Sequence, residues 1–174
     1  MQFPIHLERI QQLPENWFWC ESNSPFGLLH SQWSIQHNQA VLHALDYVNT
    51  QTQAWEIERK QPELPDPRLY KLLEHDKHID WQPLLIQTIG SEFQYQVWQA
   101  LLTIPLATTC SYQAIANQIQ NPNAVRAVGS AIGKNPVFYL IPCHRVLRSD
   151  GNLGGYLWGL ELKQQLLNWE KSLL

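Results

Sequence analysis

The chain has 174 residues, of which 44% are hydrophobic and 16% are charged, and its formal net charge at pH 7 is -3. This composition is typical of a folded globular protein and excludes a disordered chain. No apolar run approaches the ~20 residues of a membrane-spanning helix. The N-terminus lacks the basic and apolar regions of a signal peptide, and three widely spaced cysteines argue against a disulfide scaffold. We therefore expect a protein of the reducing cytoplasm.

The charges are distributed unevenly along the chain. Residues 1–90 contain 6 Lys and Arg against 11 Asp and Glu, whereas residues 91–174 contain 6 against 4. If a polyanion binds this protein, it is therefore expected to bind the second half. The asymmetry by itself is a weak signal, because many proteins that never touch nucleic acid have one.

The first half reads as a small sheet followed by a helix. Alternating apolar residues and polar turns predict an antiparallel meander with strands at 27–35, 40–48 and 54–57, after a turn at 22–25. Asp66-Pro67 is expected to begin a helix that runs to about Asp76, and 79–89 reads as a strand or an extended link. No segment of this half identifies a chemistry.

Histidines in the first half raise the question of a metal site. His30, His37, His43 and Cys20 carry ligand atoms, but they lack the CxxC or HxxxH spacing of a metal centre. Surface or strand histidines and a buried thiol are the simpler interpretation. We predict no metal and no cofactor.

Helical periodicity is clearest in the second half. Residues 92–104 read as a helix that Ser91 caps and Pro105 ends. Two shorter helices, at 111–119 and 123–133, are joined by a tight turn with Asn123 as the expected cap, in the pattern of a helix-turn-helix. A final helix at 160–173 carries Glu170 in its last turn.

The helix at 123–133 has unusually small residues beside its apolar face. They are Ala124, Ala127, Gly129, Ser130 and Ala131, and Arg126 is the one long cation near its start. One interpretation is an ordinary helical hairpin whose small residues permit close packing. The other is a narrow helix that enters a shallow groove of DNA and docks without reading base sequence.

Cys143 follows the apolar run 137–141 and precedes His144, so it is a candidate nucleophile at the end of a buried strand. If the backbone is extended there, the two side chains point to opposite faces. A bridging water would then connect them, and Glu170 is the best candidate to orient the imidazole from behind. A buried structural cysteine and a thiol hydrolase remain open as alternatives.

The second half resembles the O6-alkylguanine-DNA alkyltransferases, also called methylated-DNA–protein-cysteine methyltransferases, over residues 90–171. The match to the family is weak before residue 90, and the loop GYLWG resembles bacterial members. The shared segments, in order, are FQ at 93–94, WQAL at 98–101, IP at 104–105, SY at 111–112, AVRAVG at 124–129, NP at 135–136, IPCHRV at 141–146, GYLWG at 155–159, and Lys163, Leu166, Leu167 and Glu170.

The resemblance implies irreversible transfer of an alkyl group from guanine O6 in duplex DNA to Cys143, with O4-alkylthymine as a second candidate substrate. Cys143, His144 and Glu170 would form the water-bridged relay, and Tyr112 would donate a hydrogen bond or a proton to the leaving guanine. Arg126 would replace the flipped nucleotide in the duplex. The remaining implied residues are Ala124, Ala127, Gly129 and Ser130 for DNA binding, Asn135 as a hinge, and Ile132, Val146, Tyr156, Leu157 and Trp158 for the pocket.

The resemblance also implies an α/β (α+β) fold. Residues 1–88 would form an N-terminal α/β, ribonuclease-like domain with a small antiparallel sheet. Residues 89–174 would form a mostly helical domain with a winged-helix-like helix-turn-helix and an active-site strand. We expect a monomer without a membrane partner.

Phe138 and Trp158 predict a tight pocket that favours methyl adducts.

Two alternatives to a suicide alkyltransferase stay open at this point. Related lesion-binding proteins bind alkylguanine without repairing it, but they lack the acceptor cysteine that this chain has. A cysteine hydrolase would use the same thiol and would turn over. The regulatory members of the family carry a further N-terminal metal-binding domain for which this chain has no room, so a regulatory role is not implied.

Overall fold

The computed structural model describes residues 4–48, 59–74 and 83–174. Its described residues fall into two compact units. The N-terminal unit contains the chain up to Gly90 together with Pro136–Leu140, and the C-terminal unit contains Ser91–Asn135 and Ile141–Leu174. The domain boundaries predicted from the sequence, 1–88 and 89–174, remain a prediction.

The N-terminal unit is built on a six-stranded sheet. Its elements are β1 (Ile5–Ile10), β2 (Phe18–Ser24), β3 (Gly27–Gln36), β4 (Gln39–Tyr47), β5 (Lys60–Gln61), α1 (Arg68–Leu73) and β6 (Leu84–Ile89). The strand order is β1-β6-β4-β3-β2-β5, with antiparallel pairs inside β2–β4 and parallel pairs to β1, β5 and β6. The predicted meander is thus confirmed for 27–35 and 40–48, inside a larger, mixed sheet.

Local turn chemistry explains the meander. The loop between β3 and β4 consists of His37 and Asn38, with φ of 49° and 65°. Two residues at positive φ match the twist of a hairpin. The predicted turn at 22–25 was placed too early, because β2 continues to Ser24 and reverses at Pro25 and Phe26. The predicted strand 54–57, the helix end near Asp76 and the start of the 79–89 segment lie outside the described residues.

The C-terminal unit is mostly helical. Its elements are α2 (Glu92–Leu102), β7 (Cys110–Ser111), α3 (Tyr112–Gln118), α4 (Val125–Ile132), a 3₁₀ turn (Cys143–Arg145), β8 (Val146–Leu147) and α5 (Leu160–Ser172). A reciprocal capping box between Ser91 and Gln94 begins α2, as the sequence predicts. The predicted cap of α4 was wrong. Ala124 occupies the N-cap position, without a side-chain cap, so Asn123 lies one residue too early.

The predicted active-site strand is also wrong. Residues 137–141 are fully buried, but they follow a series of bends and turns, in which Tyr139 has a φ of 61°. Cys143 itself lies on the 3₁₀ turn. A short apolar run indicates burial, and burial does not require an extended backbone.

A buried ionic cluster joins α5 to the 3₁₀ turn. The Glu170 carboxylate accepts from His144 Nε2 at 2.7 Å and from Arg145 Nε and Nη2 at 2.7 to 3.0 Å. It also accepts from the Ala107 amide at 3.0 Å, and Arg145 Nη1 donates to the Ile104 carbonyl at 2.6 Å. Because the side chains of His144, Arg145 and Glu170 are buried, each depends on its partners for the hydrogen bonds that water would otherwise supply.

We expect Glu170→Gln to lower the free energy of unfolding by about 3 to 5 kcal/mol at pH 7, because it leaves the buried Arg145 charge without a carboxylate. Burial alone would raise the pKa of Glu170, but His144 and Arg145 hold that pKa at about 2, below the usual 4.5. The stabilisation is therefore complete above pH 4.5 and is lost as the pH falls through 2. Urea unfolding should show the difference between the two proteins shrinking across that range.

The control is Glu161→Gln, which alters an exposed carboxylate on the same helix. It should change stability by less than about 0.5 kcal/mol. Equal losses in the two variants would contradict the role given to the cluster.

Candidate active site

The C-terminal unit contains a cavity of about 690 Å³ with Cys143 in its wall. Its other walls come from the start of α3, one face of α4 and the loop that follows β8. The lining residues are Tyr112, Gln113, Val125, Arg126, Gly129, Ile132, Gly133, Cys143, Arg148, Ser149, Asp150, Gly154, Gly155, Tyr156 and Leu157. Helix, thiol and glycine-rich loop therefore surround one space, as a site for an inserted planar group requires.

Cys143 is almost fully buried, with 3% of its surface exposed. Asn135 Nδ2 donates to its Sγ at 3.1 Å and to the Ile141 carbonyl at 2.9 Å. Burial raises the pKa of Cys143 to about 11, against the opposing effect of Asn135, of the Lys163 charge and of a Tyr156 hydrogen bond. At neutral pH the resting side chain is a thiol, so a reaction at sulfur needs a base.

His144 follows Cys143 in the sequence, and the structure pairs it with Glu170 as the sequence suggested. Both side chains are completely buried, and His144 Nε2 lies 2.7 Å from Glu170 Oε1. Burial lowers the pKa of His144, which the adjacent Glu170 carboxylate partly offsets. A neutral imidazole with a carboxylate behind it can accept a proton and hold the resulting charge.

Tyr112 is the first residue of α3, and its ring lies between two glycines. Ser111 caps the helix by accepting from the Ala114 amide at 3.1 Å. A Cβ atom at Gly154 would lie 3.0 Å from the Tyr112 hydroxyl, and one at Gly129 would lie 3.8 Å from the ring. Burial and the nearby Cys143 raise the pKa of Tyr112, while Arg148 and a backbone hydrogen bond from Gly155 act in the opposite direction.

Helix α4 presents a low, solvent-exposed surface beside the cavity. Arg126, Ala127 and Ser130 are exposed, and Val128 and Ile132 are buried beneath them. Arg126 and Gly129 also line the cavity, whereas Ala124 lies at the N-cap. Arg126 is thus the one long side chain on an otherwise flat helix surface.

The predicted pocket residues divide into two groups. Ile132, Tyr156 and Leu157 line the cavity. The other three lie behind its wall and are buried: Asn135 supports Cys143, Val146 accepts from Lys163 Nζ at 2.7 Å, and Trp158 packs against the Tyr156 ring with centroids 5.4 Å apart. Trp158 therefore acts on the cavity through Tyr156.

Two buried cations were assigned no role from the sequence. Arg145 bonds to Glu170, and Lys163 Nζ donates to the carbonyls of Val146 and Leu153, which fixes the loop after β8. Burial lowers the pKa of Lys163 to about 8. Both residues lie in segments shared with the family, but a charged residue beside apolar neighbours does not by itself indicate burial, because surface residues show the same pattern.

Other predictions from the sequence concern the histidines and membrane-spanning segments. His43 lies buried between the Ser34 hydroxyl and the Gln87 carbonyl, each at 2.8 Å. Among the residues with described positions, no three His, Cys, Asp or Glu side chains are grouped to hold a metal ion. Nor does that part of the chain contain a helix of the length and apolarity needed to cross a membrane.

Sequence comparison identifies relatives of the C-terminal unit. A family model described as "6-O-methylguanine DNA methyltransferase, DNA binding domain" matches residues 92–172. The Escherichia coli bifunctional transcriptional activator/DNA repair enzyme Ada is 58% identical over 81 residues, which are 47% of this chain and 23% of that protein. The inducible methylated-DNA–protein-cysteine methyltransferase of Bacillus subtilis is 52% identical over 86 residues, 49% of this chain and 48% of that protein.

These alignments leave much of both curated proteins unmatched. The chain spans about a quarter of the Escherichia coli protein and about half of the Bacillus subtilis protein.

Structural comparison extends the similarity to both units. The crystal structure of Mycobacterium tuberculosis OGT in complex with DNA matches with a TM-score of 0.74 and 34% identity, over 89% of this chain and 93% of that one. The O6-methylguanine-DNA methyltransferase of Pyrococcus kodakaraensis matches with a TM-score of 0.62 and 18% identity, which shows the fold alone. The α/β fold predicted from the sequence is confirmed, and the chain belongs to the methylated-DNA–protein-cysteine methyltransferase (O6-alkylguanine-DNA alkyltransferase) family.

Proposed function

We propose that this protein repairs DNA by transferring an alkyl group from guanine O6 in duplex DNA to Sγ of Cys143, once per molecule. The observation that carries the proposal is a buried thiol in the wall of a cavity, supported by Asn135 and followed directly by the His144–Glu170 pair. The similarity to methylated-DNA–protein-cysteine methyltransferases supports it.

DNA would approach α4. The exposed surface formed by Arg126, Ala127 and Ser130 is low enough to enter the minor groove, and it carries a single long cation. A base inside a duplex cannot reach Cys143, so the damaged nucleotide has to rotate out of the stack. Arg126, at the edge of the cavity, would fill the space that it leaves.

The chemical step exchanges one bond for another. The thiol of Cys143 gives its proton, through a water molecule, to neutral His144, and Glu170 stabilises the imidazolium that forms. The sulfur electron pair then forms a bond to the alkyl carbon while the bond from that carbon to guanine O6 breaks. The electrons of the broken bond stay on guanine, which receives a proton from the Tyr112 hydroxyl. The proton held by His144 then passes through solvent to the tyrosinate and restores the hydroxyl.

The thioether left on Cys143 explains why the protein would act once. In the thioether, sulfur is bound to an alkyl carbon from which water does not displace a thiolate under these conditions, whereas water attacks the acyl carbon of the thioester that a cysteine hydrolase forms. A protein that only binds alkylguanine would not need the buried proton relay. The three free cysteines are consistent with the reducing cytoplasm as the site of action, and we propose that the protein acts as a monomer.

The first prediction from the proposed function concerns the stoichiometry of alkyl transfer. Incubation with duplex carrying labelled O6-methylguanine should place about one label per protein on the Cys143 peptide, read by mass spectrometry, with no further turnover. Cys143→Ala should accept none, and Cys110→Ala should accept as much as the unaltered protein. Label on the Cys143→Ala protein would overturn the proposal, and turnover on an ester or amide would favour a hydrolase.

A second prediction tests the leaving group. Tyr112→Phe should slow single-turnover transfer by about 10² to 10⁴, the usual contribution of a positioned general acid. Binding to the same duplex should change little, because the ring is kept. Tyr70→Phe, which removes a hydroxyl from an exposed tyrosine of α1, is the control and should react at the original rate. Equal rates for the two variants would remove Tyr112 from the mechanism.

A third prediction concerns the pKa of the thiol. Because the Asn135 amide lowers the pKa of Cys143, Asn135→Ala should raise that pKa further and slow transfer at pH 7.5 by about tenfold or more. The rate should rise with pH in both proteins, and the variant should need a higher pH for the same rate. Asn168→Ala, which alters an exposed amide on α5, should leave the profile in place. A profile that does not move in Asn135→Ala would contradict this role.

A further inference from the structure

Two cations from different elements line the cavity that contains Cys143. Arg126 approaches from α4, and Arg148 approaches from the loop that follows β8. The mechanism above uses Arg126 and leaves Arg148 without a role. Both side chains are exposed, so neither is needed to neutralise a buried carboxylate.

Strand pairing places Arg148 beside Tyr112. The short strands β7 and β8 run parallel, with Cys110 opposite Val146 and Ser111 opposite Leu147. Tyr112 is the next residue after β7, and Arg148 is the next residue after β8. The ladder therefore delivers the proposed proton donor and this cation to adjacent positions at one end of the pair.

Packing at Gly154 gives the same placement independently. A Cβ atom built there would lie 3.0 Å from the Tyr112 hydroxyl and 3.5 Å from Cγ of Arg148. Both side chains thus pack against the same glycine, and the aliphatic part of Arg148 lies close to the tyrosine hydroxyl. Burial raises the pKa of Tyr112, and the nearby Arg148 charge acts in the opposite direction, which agrees with this arrangement.

The turn that carries Arg148 is closed by its own backbone. The Arg148 amide donates to the Asn152 carbonyl at 2.9 Å, and the Gly151 amide donates to the Arg148 carbonyl at 3.0 Å. Asp150 is the nearby carboxylate, and it accepts from the Asn152 amide at 3.0 Å and from Asn152 Nδ2 at 2.8 Å. Within the described ranges, no carboxylate lies within ion-pair distance of Arg148. Hydrogen bonds from Asn152 lower the pKa of Asp150, and the Arg148 charge adds a smaller effect in the same direction.

We propose that Arg148 binds the phosphodiester beside the nucleotide that enters the cavity. The proposal rests on the proposed function, because it requires a flipped nucleotide. A base that reaches Cys143 from a duplex brings its two flanking phosphates to the mouth of the cavity. A guanidinium held there by a closed turn can bind a phosphate through two parallel hydrogen bonds.

Binding and transfer test this role separately. In the Cys143→Ala background, which cannot be alkylated, Arg148→Ala should weaken binding to O6-methylguanine duplex several-fold. It should also reduce the slope of log affinity against log salt by about 1, the value for one lost phosphate contact. Arg148→Lys should keep most of the slope. Lys171→Ala, which removes an exposed cation from the last turn of α5, should leave it unchanged.

With Cys143 intact, Arg148→Ala should slow transfer from duplex but not from free O6-methylguanine base, which has no phosphate. Two results would overturn the proposal: a salt slope equal to that of Lys171→Ala, or equal slowing with duplex and with free base. Failure of the unaltered protein to accept any alkyl group would refute the proposed function instead. The salt slopes, measured without transfer, would still decide whether Arg148 binds phosphate.

Discussion

The rest of the C-terminal unit depends on the hydrogen bonds that the buried Glu170 carboxylate accepts. One buried anion receives hydrogen bonds from His144, from Arg145 and from the Ala107 amide, and so ties α5 to the 3₁₀ turn and to the loop after α2. Removing any of these partners would leave a buried polar group without compensation. The same contacts orient the imidazole next to Cys143. Stability and the proposed chemistry thus share one set of hydrogen bonds.

The thiol itself is held in an unreactive state. Burial raises the pKa of Cys143 to about 11, so the sulfur is protonated at neutral pH and is protected from small electrophiles. Asn135, Tyr156 and Lys163 act against that effect and favour the thiolate. In the proposed reaction, which uses the cysteine once, this balance keeps the sulfur protonated until its proton passes to His144.

In the proposed function, docking and chemistry use neighbouring parts of one surface. Helix α4 offers small residues and one arginine, which suits contact with a groove of any sequence. Arg126 of this helix also lines the cavity, together with Tyr112, Cys143 and residues of the loop that follows β8, where the damaged base would be recognised. Lys163 holds that loop through the Leu153 carbonyl.

The sequence by itself determined the meander, the capped helix α2, the helix pair and the family, because turn residues, periodicity and motif spacing are local signals. It also suggested the His144–Glu170 pair, which lies across 26 residues. Only the tertiary structure decided that Cys143 lies on a 3₁₀ turn, that Trp158 packs behind Tyr156, and that Arg145 and Lys163 are buried. The physical reason is that an apolar run specifies burial but not backbone conformation, and a charged residue reveals its partner only when distant segments meet.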